Sequence, residues 1–172
     1  MYTLLLLLIY LAFISLGLPD SLLGSAWPVM HEAFQVPLSY AGLVTMIISG
    51  GTICSSLLSE RLTKKLGTQI VTVCSVLLTA VALFGFSTAS AFWMLCIWAI
   101  PYGLGAGAID AALNNYVALH YNSRHMSWLH CFWGLGTIIS PYVMSYALTT
   151  SVWQNGYRMV SFIQFGIMII LF

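Results

Sequence analysis

Six apolar runs, each close to the length of a membrane-spanning helix and separated by short polar punctuation, fill almost the whole chain. A bilayer core about 30 Å thick takes about 20 residues of helix to cross, and inside it each backbone polar group must be satisfied within its own segment. These runs restrict the chain to an all-α membrane protein. The expected helices cover residues 3–30, 39–59, 68–86, 91–120, 126–149 and 156–172. Their connections are short, so sequential helices are expected to be antiparallel neighbours in one domain. Composition agrees: 5% of residues are charged and the mean hydropathy is +0.96, against roughly 25% charged in an ordinary soluble domain. A net charge of +1 leaves no basic surface for nucleic acid.

The stretch from Leu4 to Ile14 has the length of a secretory signal core. No Lys or Arg precedes it and apolar character resumes beyond Asp20, so it is expected to stay as the first spanning helix. Basic residues gather in short cytoplasmic loops. Arg61, Lys64 and Lys65 fall between helices two and three, and Arg124 between helices four and five. Both termini are therefore expected to face the cytoplasm, with the protein in the plasma membrane (a bacterial cytoplasmic membrane). The last apolar run, Met159 to Phe172, covers only about 21 Å at 1.5 Å per residue and stops without a cap. The sequence is thus expected to be a piece, truncated in helix six, of a longer membrane protein. Cys54, Cys74, Cys96 and Cys131 form no C-x-x-C and are expected to be small core residues. No cofactor or metal is called for.

Two of the four acidic residues, Asp20 and Asp110, lie inside spanning runs. A carboxylate at that depth costs on the order of 3 kcal/mol, and such residues usually mark an ion or substrate pathway; the other reading of Asp20 is a bond to a neighbouring helix that fixes packing. In helix one, Phe13, Gly17, Asp20, Gly24 and Trp27 follow helical spacing, and Pro19 removes a backbone donor beside Asp20, so a kink with freed carbonyls is expected there. In helix four, Gly103, Gly107, Asp110 and Asn114 share a face with Asn115 adjacent. A carboxylate with a carboxamide one turn away accepts and donates hydrogen bonds, which suits hydroxyl groups. Helix five carries His130, Trp133, Gly134, Thr137 and Pro141 on one stripe. There, His130 is either a proton relay or a structural hydrogen-bonding group, and Trp133 either stacks on a sugar ring or anchors at the interface.

Gly17-x-x-Asp20-Ser21-x-Leu23 recurs as Gly107-x-x-Asp110-Ala111-x-Leu113. Counted from the expected helix ends, the two carboxylates lie about 5 Å to either side of the midplane. An inverted repeat of three plus three helices produces that mirroring. It argues against a membrane aspartyl protease, whose two carboxyls must share a proton at one depth.

After helix two the chain runs Ser56-Leu-Leu-Ser-Glu60-Arg61-Leu-Thr63-Lys64-Lys65. This resembles the major facilitator superfamily loop signature G-x-L-a-D-R-x-G-R-K, with Ser56 and Thr63 in place of glycines and Glu60 in place of aspartate. The stretch from Gly103 through Gly136 is similar to the fucose permease group of sugar:proton symporters, whose acidic residue, Ala-rich stretch and Asn on helix four match Asp110, Ala111, Ala112 and Asn114. The intramembrane Asp of helix one matches Asp20. That group's helix-five Asn has no counterpart, since Trp133 or Gly134 falls there.

The resemblance implies the N-terminal six-helix bundle of a twelve-helix transporter, working by alternating access against a C-terminal six-helix bundle. Glu60, Arg61, Lys64 and Lys65 would form a gating loop. One of Asp20 and Asp110 would carry the coupling proton, and Asn114, Asn115 and Trp133 would meet a sugar, with His130 as a further candidate. Asp20 is favoured as the carrier because its surroundings are the more apolar. The rival reading is a proton-coupled drug antiporter, since Gly136-x-x-x-Ser140-Pro141 partly resembles the Gly-Pro motif of antiporter fifth helices.

Overall fold

The computed structural model describes residues 2–172, and side chains from Leu4 onward. It contains α1 (Tyr2–Asp20), α2 (Leu22–Ala33), α3 (Tyr40–Leu66), α4 (Thr68–Ser87), α5 (Phe92–His120), α6 (Ser123–Thr150) and α7 (Trp153–Leu171). α1 and α2 together form one span broken at Ser21, so the seven segments make the six helices expected from the sequence. Five of them are long and apolar enough to cross a membrane. α7 falls short on composition because it carries Gln154, Asn155, Arg158 and Gln164, and Gln164 points into the bundle.

The break in the first span follows from Pro19. Proline has no N–H, so the Ser15 carbonyl one turn earlier loses its helical partner. Gln164 of α7 supplies the missing donor: its Nε2 reaches the Ser15 oxygen at 2.7 Å, while its Oε1 accepts from Thr79 of α4 at 3.0 Å. A defect in α1 is thereby turned into a three-helix tie.

α3 runs seven residues beyond the expected end at 59 and stops at Gly67, whose φ of 85° suits glycine. Glu60, Arg61, Lys64 and Lys65 therefore lie on the last turns of a helix and not in a loop, and Arg124 likewise lies in the first turn of α6. The segment is made of good helix formers, and the Lys64 ammonium meets the Glu60 carboxylate one turn away at 2.6 Å.

Packing follows the symmetry expected of an inverted repeat: α1 lies against α6 as α5 lies against α3. Small residues let these backbones approach. A Cβ on Gly17 would land on the Trp133 carbonyl of α6, and one on Gly107 would land on the Thr52 carbonyl of α3. The recurring glycines thus occupy matching crossings. Hydroxyls fasten the second crossing, with Ser56 donating to the Gly107 carbonyl at 3.1 Å and Ser59 to that of Ala108 at 3.2 Å.

α4 is the most enclosed helix, and α3 and α6 the least. Their outward faces are apolar, with Met46, Ile53 and Leu57 on α3 and Ile138 and Tyr142 on α6 largely exposed. Cys54, Cys74 and Cys131 lie on exposed faces too, not in the core. Trp27 and Trp153 are buried, and the Trp27 indole donates to the Leu38 carbonyl at 2.7 Å to close the turn into α3. Two large buried apolar clusters result, one around Met30, Leu83, Phe86 and Leu95, the other around Phe13, Ile109, Leu113 and Leu129, beside a small one of Val71, Ala108 and Ala112.

Candidate functional site

Where the two clusters meet, α1, α3, α5 and α6 enclose a cavity of about 320 Å³. Both aspartates line it, together with His130, Trp133, Tyr102 and Thr52. The volume lies at the small end of small-molecule sites, and the wall is mostly apolar with a few convergent polar groups, as such sites are built.

Asp20 ends α1 beside the break, so its side chain leaves the helix toward α5 and α6. Both carboxylate oxygens are engaged: the Tyr102 hydroxyl donates to Oδ1 at 2.9 Å and the Trp133 indole Nε1–H donates to Oδ2 at 2.8 Å. Charge-assisted bonds of this kind are about twice as strong as neutral ones. Tyr102 is 4% exposed, whereas Trp133 keeps 39% of its surface open. The indole therefore holds the acid with its edge and leaves ring surface accessible.

Asp110 is held differently. Its Oδ1 accepts from Asn114 Nδ2 on the next turn of the same helix at 2.9 Å. That bond is the carboxylate-carboxamide pair expected from the spacing. Neither amide lines the cavity: Asn114 touches it only through its bond to Asp110, and Asn115 is exposed. The His130 ring packs edge-on to Phe13, with centroids 6.2 Å apart, and reaches the cavity beside Asp110. The acids bond to different partners and share no hydrogen bond, so they do not form a proton-sharing dyad. Among the described residues no cluster of His, Cys, Asp or Glu fits a metal ion.

Tyr102 escaped the sequence reading. One tyrosine among fourteen per cent aromatic residues carries no signal by composition. The usable clue was its spacing, eight residues before Asp110 and thus two turns away on a similar face.

Helices long and apolar enough to span a bilayer, with polar groups converging on a solute-sized cavity, define a multi-pass membrane bundle with a central binding-site candidate. The chain belongs to the Major Facilitator Superfamily, a family of transporters rather than of enzymes, whose model matches residues 9–172. It is similar to Bypass of stop codon protein 6 of Saccharomyces cerevisiae, 24% identical over 163 residues covering 93% of this chain and 33% of that protein. It is also similar to the Glucose/mannose transporter GlcP of Bacillus subtilis, 22% identical over 146 residues covering 84% of this chain and 36% of that one. The chain thus spans about a third of the length of these curated relatives.

Proposed function

We propose that the chain is the N-terminal bundle of a proton-coupled symporter for a small polyol, a sugar of hexose size, that works by alternating access against a second six-helix bundle. The observation that carries this reading is the single cavity holding two intramembrane carboxylates and an accessible indole face. Asp20 is the proton carrier, because it alone is tied across helices, so a change in its charge alters how α1, α5 and α6 hold together. Asp110, held by Asn114 from behind the cavity wall, offers an acceptor to hydroxyls, and Trp133 offers a stacking face; His130 stands beside them. Asn115 and the rest of that exposed surface belong to the face toward the second bundle. The similarity to a transporter named for glucose and mannose supports a sugar, and the helix-four pattern supports the fucose permease group.

The basic cluster Arg61, Lys64 and Lys65 with Glu60 forms the cytoplasmic gate, and Arg124 marks the same side. Both termini then lie in the cytoplasm and the protein in the plasma membrane. The exposed apolar faces of α3 and α6 beside the cavity suit lipid and the second bundle.

The test is sugar-driven proton movement in proteoliposomes of the complete protein, with labelled D-glucose and L-fucose as probes. Symport brings protons in with the sugar, whereas expulsion of lipophilic cations by a proton gradient would establish the antiporter reading instead. Normal uptake and coupling in both Asp20→Asn and Asp110→Asn would sink the proposal.

A further inference from the structure

Asp20 also faces a second cavity, of about 380 Å³, on its other side. Leu23 and Gly24 of the first span, Thr45 of α3, Leu83 and Phe86 of α4 and Tyr157 of α7 wall it. Asp20, Ile48 and Tyr102 line both cavities and so form the partition between them. The second cavity is apolar except at a few points. The Tyr157 hydroxyl is buried, and its recorded partner is the Met30 sulfur at 3.8 Å, a weak acceptor. Gly24 lies one turn before Pro28, which has no N–H for the Gly24 carbonyl. A buried phenol and a freed carbonyl around a space of this size are the partners that water needs.

We propose that Tyr102 is the group through which Asp20 gains and loses its proton, and that the second cavity is a water path serving it, separate from the solute cavity. The proposal rests on the reading of Asp20 as the proton carrier. It follows from the donor and acceptor inventory of the partition. An ionised Asp20 accepts from both of its partners, as found. A protonated carboxyl carries an O–H that needs an acceptor. The Trp133 indole only donates, so it offers no acceptor to a proton on Oδ2. A tyrosine hydroxyl both donates and accepts, so the proton belongs on Oδ1, facing Tyr102.

The step balances without a tyrosinate. A hydronium in the second cavity gives a proton to Oη of Tyr102 as the tyrosine's own hydrogen passes to Oδ1 of Asp20. Two O–H bonds break, one on the hydronium and one on the phenol, as two form; a neutral water and a neutral phenol remain, and the net change is one proton on the carboxyl. Release is the reverse. The other titratable groups on these walls are Asp110 of α5 and His130 of α6 on the solute side and Tyr157 of α7 on the water side; α3 and α4 contribute none. Tyr102 is the hydroxyl bonded to Asp20, and it borders both spaces.

Infrared difference spectra of the complete protein in lipid, recorded after a jump from neutral to acid buffer, test this without a solute. A carboxylic C=O band should appear in the parent protein and be absent in Asp20→Asn. In Tyr102→Phe that band should shift in frequency and rise at least tenfold more slowly. Replacing Tyr102 with 3-fluorotyrosine keeps the ring and hydroxyl, covers a folding failure of the phenylalanine variant, and should also move the band, since a more acidic phenol is a weaker acceptor. Gly24→Leu adds a bulky side chain at a residue that lines the second cavity, where a Cβ meets no other atom, and should slow the band's rise. A band that is lost in Asp20→Asn yet unmoved in both Tyr102 variants overturns the relay and leaves Asp20 as carrier. An unchanged rate in Gly24→Leu overturns the water path, and an unchanged band in Asp20→Asn overturns the underlying reading.

Discussion

Substituting Gly17 by alanine adds one methyl group at the place where α1 crosses α6. The new Cβ would fall on the Trp133 carbonyl oxygen, 3.0 Å from its carbon and 3.2 Å from the Thr137 nitrogen. All three are backbone atoms of α6, so no side-chain rotation relieves the clash and the helices must part. Overpacking of this kind costs typically 1–3 kcal/mol, and immovable neighbours put it at the upper end, about 3 kcal/mol. Alanine's better helix propensity returns about 1 kcal/mol, leaving a net loss of about 2 kcal/mol. Gly134→Ala is the control. It makes the same chemical change on the facing helix, but nothing lies within 4 Å of its Cβ, so only the propensity gain of about 1 kcal/mol remains. The two variants should therefore differ by about 3 kcal/mol, roughly a hundredfold in the folding equilibrium. Reversible unfolding of the purified complete protein, titrated from mild detergent into sodium dodecyl sulfate, measures the difference. Parting the helices also stretches the 2.8 Å bond between Trp133 and Asp20, so Gly17→Ala should lose proton-coupled uptake while Gly134→Ala keeps it. Equal stability of the two variants would refute the close crossing and with it the positioning of Asp20.

Gln164→Leu removes the donor to the Ser15 carbonyl and the acceptor for Thr79, and at about 0.6 to 1.7 kcal/mol for each interhelical bond in a membrane should cost about 1–3 kcal/mol. Pro19→Ala restores an amide for that carbonyl, so the double variant should be more stable than the sum of the two single changes predicts; strict additivity in the same unfolding titration would contradict the repair. Glu60→Gln should leave thermal stability unchanged, because the Lys64 pair is solvent-exposed, yet change the rate of solute exchange if the cluster gates; an unaltered exchange rate would reduce these charges to markers of topology.

The helices were legible because the bilayer makes hydropathy almost a sufficient code: long apolar runs have no other way to satisfy their backbones. Their ends were less so. At the basic end of α3 the charges Glu60, Arg61, Lys64 and Lys65 interrupt the apolar run without interrupting the helix, since charge and helix propensity are independent. Pro19 announced a kink, but not that Gln164, 145 residues later, would repair it, because a long-range bond leaves no trace in local spacing. For the site, costly groups in lipid stood out and ordinary ones did not. Asp20, Asp110, His130 and Trp133 do line one cavity, whereas Tyr102 was hidden by its ordinariness and Asn115 was included by adjacency alone. The stripe on the first span was misleading past Ser21, where the break sends Gly24 to the second cavity and Trp27 into the core.

The repeated glycine-aspartate spacing gives both acids the same framework, yet their bonding differs, and that asymmetry separates their roles. Gly17 and Gly107 each set a helix crossing one turn before the acid. At the first crossing Asp20 bonds to two other helices; at the second Asp110 bonds within its own. A proton added to Asp110 rearranges one turn of α5, whereas a proton added to Asp20 changes a tie among three helices. Asparagine at position 20 reproduces the bonding of the protonated acid, since its carbonyl accepts from Trp133 and its amide donates to Tyr102. Asp20→Asn should therefore remain folded and exchange solute at a rate that no longer varies with pH. Asp110→Asn should weaken solute binding while the pH dependence of exchange survives. Measured with D-glucose counterflow in proteoliposomes across a range of pH, the opposite pattern, with pH dependence lost only in Asp110→Asn, would exchange the two roles.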